Sequence, residues 1–191
     1  MTTQRELKTQ IENCTSCNLC KERTNTVISD GSGDADIFFI GEAPGKEEDI
    51  QGKPFVGAAG KLLTQMIESI ELSRKEVFIT NVVKCRPPGN RDPLPEEVKK
   101  CWPYLEHQIK IVKPKLIVTL GRHSMARFFP NLKISEVHGQ PKEEKGIWQE
   151  KQTYLPLYHP AFALYNPKNK ETLFEDFKKI PLIIKKIDEL Q

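Results

Sequence analysis

The sequence predicts an α/β fold in a single domain, and three observations carry that expectation. Short continuous apolar runs alternate with longer segments of helical spacing. Two of those runs, DIFFIG (Asp36–Gly41) and KLIVTL (Lys115–Leu120, followed by Gly121), end in glycine, as buried parallel strands do. The chain has 191 residues, 38% hydrophobic and 29% charged, enough to bury one core, with no internal repeat, low-complexity tract or linker. The fold class is therefore a central, mostly parallel sheet flanked by helices, with the loops at the strand carboxyl ends forming the site.

The elements follow in order. After Asp36–Gly41, residues 57–72 place Leu62, Leu63, Met66, Ile67 and Ile70 on one helical face. The β-branched run Val77–Val83 (VFITNVV) predicts a second strand. A helix is expected over Pro95–Val112, with proline at its start and Glu96 and Glu97 near the positive end of its dipole. Lys115–Leu120 gives a third strand and Arg122–Phe129 a short helix. Thr153–Leu157 is a fourth strand that delivers Tyr158–Pro167 onto a loop. Glu171–Leu190 closes the chain as an amphipathic helix that Pro181 must kink or split.

The composition also excludes several classes. The apolar runs are too short to span a bilayer, and MTTQRELKTQIE has no signal-peptide core, so a cytoplasmic protein is expected. A net charge of +3 permits a nucleic-acid partner without implying one. The five cysteines, at positions 14, 17, 20, 85 and 101, point in a reducing cytosol to metal or cluster ligation rather than disulfides. CTSCNLC offers Cys14, Cys17 and Cys20; 67 residues lie between Cys17 and Cys85, and another 15 between Cys85 and Cys101. Structural zinc and an iron–sulfur cluster both suit four thiolates, although zinc ribbons usually bring a second close CxxC pair. Cys20 could displace Cys14 or Cys17 as a ligand, and buried cysteines acting as small hydrophobes are the plainest alternative.

Three loops could carry chemistry. In GEAPG (41–45), glycine and proline hold Glu42 at a strand end, where it could orient water, act as a base or stabilise a cation; a solvated acid in a turn is the competing reading. The acids Glu42, Glu47, Glu48 and Asp49 disfavour a phosphate cradle there. In NVVKCRPPGNRDP, Asn81 sits within an apolar strand and presents a donor and an acceptor suited to a nucleobase edge, or to neighbouring backbone. Lys84, Arg86 and Arg91 then place cations around a Pro–Gly turn, which fits phosphate contact as well as a solvated loop. In YHPAFALYNP, Pro160 fixes the aim of His159, and AFALY either wedges into a base stack or packs on the closing helix. His107, His123 and His138 have no comparable setting and are expected at surface or structural positions.

Taken together, Cys14-x-x-Cys17, GEAPGKEED, GKPFVGAAGKLL, NVVKCRPPGNRDP, Cys101 and HPAFALYNP resemble, in order, the family 4 uracil-DNA glycosylases, the iron–sulfur branch of that superfamily. The resemblance spans roughly residues 10–170. It implies a uracil-DNA glycosylase-like fold, and a single domain over 1–191 with an N-terminal arm (10–25) tied in by the metal cluster. The cluster it implies is [4Fe–4S], held by Cys14, Cys17, Cys85 and Cys101 with Cys20 as a bystander, structural zinc being the alternative.

The resemblance also implies roles. Phe55 would stack on a flipped-out uracil, Asn81 would read its O4 and N3–H edge, and Glu48 would crowd C5, where thymine carries a methyl group. Glu42 would activate water at C1′ and His159 would donate to uracil O2, with Gly41 and Ala43 completing the pocket. DNA contacts would come from Lys84, Arg86, Arg91, Ala161, Leu164 and Tyr165. The family commonly has Leu-Arg where this chain has Leu164-Tyr165, which leaves the wedge residue and one phosphate contact open. No basic, His-containing insertion follows the NVVK strand, so ordinary turnover rather than covalent capture of DNA is expected. The implied partner is uracil-containing DNA, single- or double-stranded, bound by a monomer that a sliding clamp could recruit. A non-catalytic DNA-binding module and a metal-stapled hydrolase of free nucleotides are the rival readings. Release of uracil from DNA separates them.

Overall fold

A computed structural model describes residues 3–146 and 151–190. Its strands are β1 (Asp30–Gly31), β2 (Ile37–Gly41), β3 (Phe78–Asn81), β4 (Leu116–Leu120), β5 (Lys142–Lys145) and β6 (Lys151–Leu157). Its α-helices are α1 (Gln4–Glu12), α2 (Lys46–Gln51), α3 (Ala58–Glu68), α4 (Pro95–Val112), α5 (Arg122–Met125), α6 (Ile134–Val137), α7 (Ala161–Tyr165), α8 (Lys170–Phe177) and α9 (Lys179–Asp188).

The sheet order is β1-β3-β2-β4-β6-β5. The inner strands β3, β2, β4 and β6 are parallel, and β1 and β5 pair antiparallel at the edges. The chain lays β3 on one side of β2 and then returns to lay β4 on the other. That reversal opens a crevice at the carboxyl end of β2, where ligands of such sheets bind.

Side-chain alternation sorts each inner strand between two cores. Ile37 and Phe39 of β2 join the α3, α8 and α9 layer, whereas Phe38 and Ile40 join the α4 layer. Both faces being covered, β2 and β4 are buried along their whole length. The expected four strands and the helix over 95–112 are present. The closing helix is split at Lys178 into α8 and α9, and Pro181 lies in the first turn of α9, where a missing N–H costs nothing. Pro156 is accommodated in β6 beyond its pairing with β5, which ends at Tyr154.

The two edge strands, α1, α2 and α6 lie outside the sequence reading, and α7 forms where a loop was expected. A reciprocal cap starts α1: Glu6 N donates to Thr3 Oγ1 at 3.2 Å, and Thr3 N donates to Glu6 Oε2 at 2.7 Å. Among the described residues, no helix is long and apolar enough to cross a membrane.

Candidate active site

The parallel strands deliver one polar side chain each to the same end of the sheet. Glu42 follows β2, Asn81 ends β3, His123 follows β4 and His159 follows β6. Backbone bonds continue the β2–β3 pairing into the loops, with Val82 N donating to Gly41 O at 2.9 Å and Val83 N to Glu42 O at 3.1 Å. Glu42, Ala43, Glu48, Phe55, Asn81 and His159 line one cavity of about 450 Å³. Gly41 lies beneath it for a steric reason: a Cβ there would overlap Asn81 Oδ1 and come within 2.6 Å of Phe55 Cζ.

Phe55 is held in an unusual backbone state, with φ at +53°, in the left-handed region. Several contacts fix that turn. Glu48 Oε1 accepts from Val56 N at 2.9 Å and Gly57 N at 2.8 Å. From the other side Arg74 donates to the Pro54 carbonyl at 2.9 Å and the Phe55 carbonyl at 3.1 Å, and pairs with Asp30. The ring itself lies 5.6 Å from the His159 ring, tilted by 31°. Arg74 was not singled out in the sequence, because nothing local connects it to a turn about twenty residues upstream.

Burial, and next the negative charge of Asp92, push the Glu42 carboxyl up to about 7. Its Oε1 is buried and, among the described residues, has no hydrogen-bond partner. Burial has the opposite effect on His159, pulling the imidazole down to about 4. His159 Nδ1 accepts from Ala161 N at 3.2 Å, so the neutral ring carries its proton on Nε2. The site thus combines a carboxyl poised near neutrality with an uncharged imidazole donor, and the two can act on opposite charges in one pH range.

Two sequence expectations need correction. Lys84 is 1% exposed and cannot reach a phosphate. Its Nζ donates to Asn81 O at 2.6 Å, Thr80 Oγ1 at 2.7 Å and Gln108 Oε1 at 2.6 Å, so it braces the end of β3 from within. His123 is no bystander either: it lies 3.5 Å from Glu42 and 3.4 Å from Asp92. Its sequence signal was its place two residues beyond the glycine that ends β4, matching the strand-end positions of Glu42 and His159.

The other expected cations stay near the surface. Arg86 donates to Asn90 Oδ1 at 2.7 Å, and Arg91 makes a forked pair with Glu97 at 2.9 and 2.7 Å. AFALY forms α7 and resolves the choice between packing and exposure by face. Phe162 stacks on Tyr158 with ring centroids 4.3 Å apart, and Ala163 enters the core. Leu164 and Tyr165 point outward, 48% and 90% exposed, and Ala161 and Tyr165 also line the cavity.

Cys14, Cys17, Cys20, Cys85 and Cys101 converge on a second, small cavity beside Leu19 and Tyr104. Arg23 Nη1 donates to Cys85 Sγ at 3.2 Å and Lys84 N to Cys101 Sγ at 3.3 Å. Burial pushes the Cys101 thiol up to about 11, so a thiolate there needs a bound cation. Remote thiols brought together, with N–H donors aimed at sulfur, fit a thiolate-held metal or cluster.

Comparison with known proteins accords with this geometry. The pattern of the Uracil DNA glycosylase superfamily matches residues 28–180. A type-4 uracil-DNA glycosylase of Sulfurisphaera tokodaii is 51% identical over 184 residues, covering 92% of this chain and 82% of its own. That of Archaeoglobus fulgidus is 50% identical over 177 residues, covering 90% and 88%. A solution NMR structure from Methanosarcina acetivorans, of a candidate uracil DNA glycosylase, covers 83% of this chain and 98% of its own with a TM-score of 0.51. At 11% identity that likeness bears on the fold alone. From its sequence and its fold, the chain belongs to the uracil-DNA glycosylase superfamily and, within it, to the type-4 enzymes.

Proposed function

We propose that the chain hydrolyses the N-glycosidic bond of flipped-out deoxyuridine in DNA, releasing uracil and leaving an abasic site for base excision repair. The observation that carries this reading is the convergence of Glu42, Phe55, Asn81 and His159 on one cavity. Flipping is required because C1′ and the base edges are inaccessible within the stack. Phe55, with its ring at the cavity wall, stacks on the extruded base. Asn81 accepts from N3–H and donates to O4.

Bond cleavage sends negative charge onto the base and positive charge onto the sugar. His159 Nε2–H donates to O2, while the ionised Glu42 positions water and faces the cationic C1′. Both contacts are stronger in the transition state than in the ground state, and each is typically worth a factor of about 10² or more. Glu48, held against the backbone at 56–57, fixes the Phe55 turn and crowds the C5 position. DNA is gripped by Arg86, Arg91 and the outer face of α7, with Leu164 or Tyr165 as the wedge; the exposure of Tyr165 favours it.

A [4Fe–4S] cluster on Cys14, Cys17, Cys85 and Cys101 would supply a structural cross-link between the N-terminal arm and the β3–α4 region, with no redox step. Structural zinc is the second reading of the same thiols. The chain would act as a cytoplasmic monomer on single- or double-stranded DNA. Incubation with uracil-containing DNA followed by alkali should yield strand breaks at uracil positions, with free uracil released. Intact DNA, or hydrolysis of free nucleotides instead, would refute the proposal.

A further inference from the structure

Among the described residues the buried Glu42 Oε1 has no hydrogen-bond partner, and such atoms are rare in folded proteins. His123 Nδ1 lies 3.5 Å from it. Arg122 Nε donates to His123 Nε2 at 2.9 Å, so the neutral ring carries its proton on Nδ1, toward Glu42. Asp92 Oδ2, 3.4 Å from Nε2, takes the second proton's hydrogen bond when the ring is protonated. The ligand atoms of Glu42, Asp92 and His123 all lie within 4.8 Å of one another. Apart from these residues, the charged groups that influence Glu42 and His123 are Arg122 and Arg127, from α5 and the turn after it.

We propose that His123 is a positioning residue for Glu42: with DNA in the cavity its Nδ1–H donates to Oε1 and leaves Oε2 to the attacking water. Catalytic hydrogen bonds are often long before substrate binds, and a few tenths of an ångström close this one. The inference rests on the reading of Glu42 as the carboxylate that acts at C1′. Asp92 works against His123, because its negative charge disfavours ionisation of Glu42.

The test is single-turnover excision from a uracil oligonucleotide by wild type, H123A, H123N, D92N, E42Q and the double variant E42Q/H123A. Thermal melting and affinity for a non-cleavable uracil analogue in DNA are measured alongside. H123A should lose about 10- to 100-fold, the range of one hydrogen bond to a charged group, with affinity and melting near wild type. H123N, whose amide can still donate from a similar position, should recover most of the rate. The double variant should be no slower than E42Q, since the ring acts only through that carboxylate. Wild-type excision should rise with pH through about 7 as Glu42 ionises. That limb should move to higher pH in H123A, which loses a donor to the carboxylate, and to lower pH in D92N, which loses a like charge. An inactive E42Q beside an H123A of wild-type rate and pH profile, or losses that multiply in the double variant, would overturn the inference alone. Wild-type excision by E42Q would overturn the reading of Glu42 and the inference with it.

Discussion

Replacing Arg74 with methionine removes every hydrogen bond that the guanidinium makes to the Phe55 turn while keeping most of its volume. The native side chain donates to Pro54 O at 2.9 Å and Phe55 O at 3.1 Å, and its Nε donates to Asp30 at 2.9 Å. Phe55 itself stands at a φ of +53°, a conformation that costs about 1–3 kcal/mol and persists only when its surroundings hold it. Helix α3 supports the turn from the other side, since a Cβ on Gly60 would overlap the Phe55 carbonyl. Leaving two part-buried carbonyls without their charged donor costs about 1–3 kcal/mol each. The Asp30 pair adds little, because that carboxylate keeps contact with water. R74M should therefore unfold in urea with about 3 kcal/mol less stability. Release of the strained turn should displace the Phe55 ring and lower kcat/KM on uracil DNA by about tenfold or more, the effect of a small misplacement near a reacting centre. R74K, with one cation and fewer directed donors, should fall between. An R74M protein within about 0.5 kcal/mol of wild type and equally active would show that the clamp has no part in positioning Phe55.

Other substitutions probe the same framework. Gly41→Ala should push on Asn81 and the Phe55 ring at once, at an overpacking cost of about 1–3 kcal/mol, so excision should fall further than DNA affinity; equal excision by the variant would refute the fit. Cys85→Ala or Cys101→Ala should lower the melting temperature more than Cys20→Ala, and purified protein should be brown with iron and sulfide in near-equal amounts. A colourless protein with one zinc per chain would favour the zinc reading. Asn81→Asp replaces a donor to O4 with an acceptor, which suits the cytosine amine; unpaired groups at about 1–3 kcal/mol each predict a large loss on uracil with weak cytosine excision. Unchanged uracil rates in a single-turnover comparison of both substrates would remove Asn81 as the base reader.

The parts of this protein legible in its sequence are those whose cause is local. Unbroken apolar runs announce β2 and β4, and Pro95 with Glu96 and Glu97 announces α4 over the span that it occupies. The edge strands lack such a signal: β1 has two residues, and β5 reads KEEK. Their pairing comes from backbone groups that any sequence supplies. The Thr3–Glu6 cap was visible in principle, but α1 is otherwise mostly polar and short. Glu42, Asn81 and His159 were legible because each sits in a motif that stiffens the chain around it. His123 and Arg74 were not, because their partners come from other strands and loops. Lys84 misled for the same reason: beside Arg86 and Arg91 it resembles a phosphate contact, yet Gln108 of α4 and Thr80 of β3 supply the acceptors that make its burial tolerable.

The position of Lys84 also bears on how the cysteine cavity and the cavity lined by Asn81 relate. Asn81, at the end of β3, and Cys85 are joined by a buried segment. Lys84 Nζ ties the segment back to the Asn81 carbonyl, while Lys84 N donates to Cys101 Sγ at 3.3 Å. The same stretch of backbone therefore presents the Asn81 amide to one cavity and the Cys85 thiol to the other. Val82 N and Val83 N, within it, hold the Gly41 and Glu42 carbonyls at 2.9 and 3.1 Å. A side chain that reads a base must be fixed to within about half an ångström, and rigid elements do this better than a free loop. Cross-linking Cys85 and Cys101 to the N-terminal arm would stiffen this segment beyond the reach of the sheet's own hydrogen bonds. Such a cross-link would give the thiol site a structural purpose: it would anchor the far end of the segment whose near end carries Asn81.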